Sequence, residues 1–395
     1  MKVKQISSML NQVFGEILGD TSLIAEDMSN IVSVGQVITS STQFGDNFEN
    51  YAGKIVDKVG RTVFADRVYR AKDLGIWRDS WEYGSVLEKI RVDVGDYEDN
   101  CEWDLTVPGT NGLDYNEHIK DHIEELFKFV PANTQAKYFN MKTTFKTVIS
   151  ITRKQLKSAF NGASEMARFI GMIENRIMSK MEIAKDQLQR RTLVNLIGTK
   201  IHAGTVVDLK ALYTAEVGGT VPNTLAEAVN TPLVLRYMAK KITMDREFMT
   251  EPSKIYNEGN FYTHTPIEDS RLVVLADLDS GLKFNLYGDT YNEEFVKLDN
   301  YKTVPFWQGS GTAMSLADRS KIDIKTAGGD HVEAGGILGI LFDRDAAMVC
   351  NEDPEVRSQY NADGNFTNYF YTYDCSYFND FDENAIVYVW GLDKG

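Results

Sequence analysis

The sequence predicts an α+β fold. An unbroken amphipathic helix is expected over 162–197. The C-terminal half is built of short apolar and aromatic segments with strand character. The stretches before the helix alternate or stay polar and hold too little apolar surface for a core of their own.

The helix is the clearest element. Met166, Phe169, Ile170, Ile173, Ile177, Met181, Ala184, Leu188 and Leu193 return to one face at gaps of three to five. Glu165, Arg168, Glu174, Arg176, Lys180, Glu182, Lys185, Asp186, Arg190 and Arg191 fill the other positions. Asn161-Gly162 with Ser164 and Glu165 marks a start, and Gly198 marks a stop. At 1.5 Å per residue such a helix is roughly 50 Å long, which makes it a strut. Strict heptad spacing is not kept, which argues against a coiled-coil seam.

The remaining elements follow in chain order. Residues 1–48 read as an arm: Val3 to Ile17 is weakly helical, Gly19-Asp20-Thr21-Ser22 breaks it, and packing on neighbouring molecules is expected to order it. Residues 49–110 hold two extended runs, Trp77 to Tyr83 and Val86 to Val94, punctuated by Gly84-Ser85 and Gly95-Asp96. They are expected to form a two-stranded ribbon that something else must cover. Residues 111–204 hold a short helix (Tyr115 to Phe129), an alternating strand (Tyr138 to Ile151) and the strut. Over 205–385 come a strand- or helix-like Val206 to Tyr213 and two helices broken at Asn230-Thr231-Pro232. Strands follow at Leu272 to Leu278, within Phe295 to Trp307, at Ile337 to Phe342, and at the aromatic Thr367 to Phe378. Ala385 to Trp390 is a closing strand, and 386–395 end the chain.

Composition excludes several classes. With 57 acids against 42 bases the net charge is −15, which argues against gripping nucleic acid through a general basic surface. No stretch is long and apolar enough for a membrane span, and no signal peptide is evident. Cys101, Cys350 and Cys375 are too few and too scattered for a disulfide framework or a zinc site, so a reducing cytoplasm is expected. Tyr and Phe number 19 and 20 and crowd the C-terminus, where they suit protein–protein contact.

No catalytic constellation stands out, and no cofactor or metal is expected. His118 and His122 share a helix face without the zinc-protease order, and His202, His264 and His331 are isolated. Gly309-Ser310-Gly311-Thr312 and Gly335-Gly336 lack the lysine of a phosphate loop. Asp277-Leu278-Asp279-Ser280-Gly281 lacks the length and closing Glu of a calcium loop. The acid clusters 351–355 and 379–384 read as solvated loops with a cation site as the alternative. Lys72 and Lys89 could join a cross-link, with no partner identifiable. The stripe Phe366, Tyr369, Phe370, Tyr371, Tyr373, Tyr377, Phe378 reads as core and interface. Arm, ribbon and strut each expose surface that a monomer cannot satisfy, so the chain reads as a subunit of an assembly.

That order of parts resembles the tailed-phage major capsid proteins of the Hong Kong 97 type, which carry an N-terminal arm, an extended β-hairpin loop, a peripheral domain with a long spine helix, and an axial domain. More locally the C-terminal third is similar to short-tailed phages of the phi-29 type. The run Gly339-Ile340-Leu341-Phe342-Asp343-Arg344-Asp345-Ala346-Ala347-Met348-Val349 is followed by Asn368-Tyr369-Phe370-Tyr371-Thr372-Tyr373 and then Glu383-Asn384-Ala385-Ile386-Val387-Tyr388-Val389. Gly53 to Phe64 is a weaker match. The resemblance implies a shell subunit, not an enzyme, forming pentamers and hexamers, with the ribbon of one subunit over the spine region of the next. Trp77, Trp81, Tyr83, Arg168 and Arg176 are then the expected inter-subunit contacts. It further implies a separate scaffolding protein, a portal protein, enclosed double-stranded DNA bound without sequence specificity, and a place in the virion after assembly in host cytoplasm. An appended immunoglobulin-like domain and a cleaved pro-piece are not expected. The alternatives are a tail-tube or decoration subunit, and a soluble enzyme with a scattered site.

Overall fold

A computed structural model describes residues 3–18, 23–40, 54–55, 73–78, 87–93, 133–286, 301–308, 315–326, 329–351 and 355–394. The expected helix Tyr115 to Phe129 lies outside them. The fold is α+β, as the sequence predicts, and it is organised by α4, the long helix Ala163–Ala203. Its 41 residues make it about 60 Å long. The buried stripe runs Met166, Phe169, Ile170, Ile173, Ile177, Met181, Leu188.

The helix passes Gly198, the expected stop, and ends at Gly204. Gly204 has φ +78°, and its N–H donates to the Ile201 carbonyl at 3.2 Å, a left-handed cap that favours glycine. Gly198 serves packing instead. A Cβ there would stand 2.3 Å from Ile324 Cδ1. The periodic signal fades because the last turns are enclosed on several sides: Thr192, Leu193, Val194, Leu196, Ile197, Lys200 and Ile201 are all buried. A helix covered all round has no single apolar face to read.

Two sheets lie along this helix. The first has the order β1-β10-β12-β11, with β4 on the other side of β12. The strands are β1 (Trp77–Arg78), β4 (Lys142–Thr152), β10 (Ala347–Asn351), β11 (Glu355–Asn361) and β12 (Phe366–Asn379). Along β12 alternate residues Thr367, Tyr369, Tyr371, Tyr373 and Cys375 turn into the core, and Phe366, Phe370 and Tyr377 are half-buried. Burial raises the Tyr373 phenol above its ordinary pKa. Before α4, the short helix α3 (Arg153–Ala159) starts with a capping box in which Thr152 and Gln155 bond each other's backbone.

The second sheet has the order β5-β13-β9-β6-β7, with β8 pairing β9. These strands are β5 (Val206–Asp208), β6 (Ser270–Leu275), β7 (Tyr301–Val304), β8 (Ile322–Lys325), β9 (His331–Asp343) and β13 (Ala385–Lys394). It is buried on both faces. Val387 and Val389 face the core shared with α4, while Ile386, Tyr388 and Trp390 face a second core. That second core is built with α5 (Leu209–Glu216), α6 (Leu225–Ala228) and α7 (Pro232–Phe248). Double burial explains why Ile337 to Phe342 is a continuous apolar run rather than an alternating one. The sequence stretch 205–385 is therefore shared between the sheets, because β12 returns to pair with β4 and carries β10 and β11 on its other side, and β13 belongs inside the second sheet.

Two other expectations change. The N-terminal helix α1 (Val3–Leu18) packs on its own chain, with Ile6, Met9, Leu10, Val13 and Phe14 buried and Phe14 6.3 Å from Phe160. Asn11 clamps Ile24, accepting from its N–H and donating to its carbonyl, each at 2.8 Å. A second helix, α2 (Ile31–Ser40), follows within the expected arm. The expected ribbon of Trp77–Tyr83 with Val86–Val94 is also paired differently. Trp77 and Arg78 run parallel to Val349 and Cys350. β2 (Leu87–Asp93) pairs antiparallel with β3 (Asn133–Phe139), Leu87 opposite Phe139 and Asp93 opposite Asn133. The Tyr138–Ile151 strand breaks at Asn140-Met141 into β3 and β4.

The caps give a paired expectation. Gly204→Ala should lower subunit stability by about 1 kcal/mol, because alanine is strained at that φ. Gly171→Ala, at an open helical site with nothing within 4 Å of a new Cβ, should raise it by up to about 1 kcal/mol. Urea unfolding of the unassembled subunit measures both.

Candidate assembly surfaces

The ribbon β2–β3 has two unlike faces. On one, Lys89, Arg91 and Lys137 point to the turn after β12. On the other, Glu88, Ile90, Val92, Ala136 and Tyr138 are exposed. Ile90 is 66% exposed, Val92 55% and Tyr138 63%. The Tyr138 hydroxyl donates to Glu88 at 2.9 Å, and this bond raises its pKa.

The cationic face closes on a cluster of acids. Lys89 bonds Asp380 at 2.7 Å and also Glu383. Arg91 pairs with Glu383 and donates to the Asp382 carbonyl at 3.0 Å. Lys137 pairs with Asp382 and lies 3.4 Å from Asp380. The Arg91 guanidinium also covers the Phe261 ring at 5.5 Å. The turn 379–384 is thus no solvated loop: the Asp380 side chain is 1% exposed, and Glu383 11%.

Burial and pairing compete at each group. For Asp380 burial works against the charge, but the Lys89 hydrogen bond and the charges of Lys89 and Lys137 outweigh it and lower its pKa. For Glu383 burial prevails over Lys89 and Arg91 and raises it. For Lys89 burial opposes the ammonium, yet its bonds to Asp380 and Glu383 win and raise it. Behind the cluster Lys200 of α4 is wholly enclosed. It donates to the Tyr256 carbonyl at 3.1 Å, with Glu258 at 3.7 Å, and burial lowers its pKa.

The other candidate surface is the open face of α4, where Arg168, Met172, Arg176, Lys180, Ile183 and Arg191 are exposed. Met172 is 46% and Ile183 57% exposed. Arg168 pairs with Glu165 at 3.3 Å. Trp77 packs within its own chain, the Lys185 ammonium 4.7 Å from its ring centre. Trp81 and Tyr83 lie outside the described residues, as do Lys72, His118, His122 and the run Gly309 to Thr312.

The remaining polar motifs are absorbed by structure. Asp277 to Gly281 form the short helix α8 (Ala276–Gly281), Asp277 pairing with Arg319 at 2.7 Å and Asp279 with Lys283 at 2.8 Å. His331 pairs with Asp323 at 2.6 Å and His202 with Asp330 at 3.5 Å. Among the described residues no group of three or more His, Cys, Asp or Glu is placed to hold a metal ion. A groove of about 970 Å³ between α4, Pro305–Gln308 and Asp323–Lys325 presents Ile183, Phe306 and Ile324. Its Arg190 is spent on Asp186 at 2.9 Å and on the Phe306 ring and carbonyl.

A family model for Phi29-like phage major capsid proteins matches residues 8–389. The chain belongs to this family. It is a shell-forming subunit of the virion, structural in role, with an α+β fold. The capsid of Staphylococcus phage Andhra is similar at 10% identity over 82% of this chain and 84% of that one, with a TM-score of 0.48. A structure of the head fiber and inner core protein gp22 of bacteriophage P68 is similar at 11% identity over 79% and 82%, with a TM-score of 0.48. The capsid asymmetric unit of cyanophage Pam1 is similar at 10% identity over 84% and 93%, with a TM-score of 0.39. No curated protein matches. Among the described residues of the capsid subunit, no helix is long and apolar enough to cross a membrane.

The ion cluster missed by sequence reading did leave a trace. Lys89 and Arg91 sit two apart on a strand whose other face is Ile90 and Val92, so both cations point one way. Nothing local connects them to acids almost three hundred positions on.

The cluster has a signed pH dependence. Asp380, lowered below 3.8, stabilises above that pH and loses its contribution as pH falls through its own lower pKa. Glu383, raised above 4.5, has the opposite sign: its contribution is present below 4.5 and lost as pH rises through the raised value. We expect Asp380→Asn to cost on the order of 2 kcal/mol near neutrality, since Lys89 and Lys137 lose a buried partner. It should also flatten the loss of stability on the acid side of pH 3.8, read by urea unfolding across pH.

Proposed function

We propose that the capsid subunit builds an icosahedral shell around a double-stranded DNA phage genome by laying its ribbon across the long helix of a neighbouring copy. The exposed face of β2–β3 carries this reading. Ile90, Val92 and Tyr138 are each more than half exposed on a two-stranded element with no core, pointing away from the body that holds its other face. The open face of α4 complements it, with Met172 and Ile183 among Arg168, Arg176 and Lys180, opposite in charge to Glu88. Trp81 and Tyr83, expected to share the contact, stand outside the described residues. Trp77 already serves its own chain.

On this reading subunits gather as pentamers and hexamers, with the second sheet and its helices α5 to α7 as the axial domain and the first sheet with α4 as the peripheral domain. The extended loop runs on to Phe139. A separate scaffolding protein guides assembly in host cytoplasm, a portal protein takes a special position, and the DNA is enclosed without sequence-specific binding. The net charge of −15 suits such enclosure, because general attraction to the packed duplex is avoided.

The test is assembly itself, with a co-expressed scaffold. Ile90→Asp combined with Val92→Asp should leave a folded subunit that no longer closes into shells, as should Arg176→Glu combined with Lys180→Glu, by sedimentation and electron microscopy. Trp77→Ala should instead lower subunit stability by about 2 kcal/mol. Normal shells from both double variants would sink the ribbon-on-helix contact.

A further inference from the structure

The ribbon's attachment to the body is lopsided. Among the described residues its cationic face alone is held by the body along its length, and the holding contacts there include ion pairs: Lys89, Arg91 and Lys137 on Asp380, Asp382 and Glu383. At the base, the Phe139 and Phe378 rings stack at 4.4 Å. There β3 passes into β4 through Asn140-Met141, where both strand pairings end and the Met141 carbonyl accepts from Tyr377 N–H at 3.1 Å. From Lys142 onward β4 is fixed to β12 for its whole length, Lys142 opposite Ser376 and Thr152 opposite Phe366. An element fixed at one end by its chain, and along its length by ion pairs, is a lever with a catch.

We propose that the ion cluster is a lock that sets the angle of the ribbon, so that opening it lets β2–β3 swing as a unit about Asn140-Met141 while both cores stay folded. The ladder between β2 and β3 is internal to the ribbon and survives the swing. The acids belong to the body: the Asp382 N–H donates to Asp380 at 3.2 Å, the Glu258 N–H to the Phe381 carbonyl at 3.0 Å, and Ala385, the next residue but one after Glu383, starts β13. Other charged groups that bear on the lock are Asp343, which interacts with Glu383 and Lys89, and Lys200, which is paired with Glu258 and feels the charge of Asp382. The ribbon is about 20 Å long, so a modest rotation at its base moves Ile90 and Tyr138 by several ångströms. A subunit with its lock closed thus presents the exposed apolar face in one direction, and one with its lock open does not.

The experiment uses the full-length, unassembled subunit, so it reads the lock whether or not the ribbon-on-helix contact of the shell holds. Spin labels at Ala136→Cys and Ser179→Cys, in a Cys101→Ala background with Cys350 and Cys375 left in the core, report the ribbon-to-helix distance by pulsed electron resonance. We expect one narrow distance at low salt that broadens and lengthens near 1 M salt, where screening acts within about 3 Å. Asp382→Asn with Glu383→Gln should give the broad distribution at low salt, with near-ultraviolet circular dichroism unchanged. The swap Lys137→Asp with Asp382→Lys should restore the narrow one. An unchanged distance in both the neutral variant and high salt overturns the lock. So does a neutral variant that loses its circular dichroism signal while the wild-type distance ignores salt, because the acids then serve folding alone.

Discussion

Everything in this subunit hangs on the burial of one helix. The N-terminal half of α4 offers a single stripe, Met166 to Leu188, and the first sheet with α1 covers it. The C-terminal half is enclosed against the second sheet, and there even Gly198 is used for close approach. Apolar burial of this extent is the main favourable term available to a chain of mixed composition. It also fixes the two sheets relative to each other, because one rigid element packs against strands of both. A shell subunit needs that rigidity, since its contacts with neighbours are set by the spacing of surfaces tens of ångströms apart.

Within that frame the polar groups divide by what they hold. Gln189, fully buried on α4, accepts from the Leu74 N–H at 3.0 Å, and Thr192 offers its carbonyl to Asn379 at 3.0 Å. These bonds tie passing segments of chain to the helix and satisfy groups that burial would otherwise leave without partners. The cluster at Asp380 to Glu383 is different in kind. It joins an element with no core to a body with two, and ion pairs that are partly wet contribute less than packing does. The ribbon is therefore held to the body largely by interactions that ionic strength and pH can reach.

Legibility followed the range of the interactions. The aromatic run Thr367 to Phe378 read as a strand, and the apolar run Ile337 to Phe342 as a buried one, because side chains a few positions apart carry that information. The break at Asn230-Thr231-Pro232 was readable from the fixed φ of proline. The partner of Val86 to Val94 was not. Its true mate, Asn133–Phe139, lies far along the chain, and Trp77 was free to pair with Val349 instead. The arm was misjudged for a related reason. The apolar positions of α1 were visible, but not the groove of their own chain that receives Phe14.

The sequence by itself determined the helical strut, the strand segments, the absence of a local catalytic motif, and the acidic balance, since each rests on periodicity or composition. It also carried the family resemblance that the capsid family match bears out. Tertiary structure alone decided which strands share a sheet, where the strut ends, and that Lys89, Arg91 and Lys137 meet Asp380, Asp382 and Glu383. The physical reason is that a strand offers the same backbone edge to any partner and a charge attracts any opposite charge. Selection among them is made by the global packing, which brings two distant stretches of chain to one place.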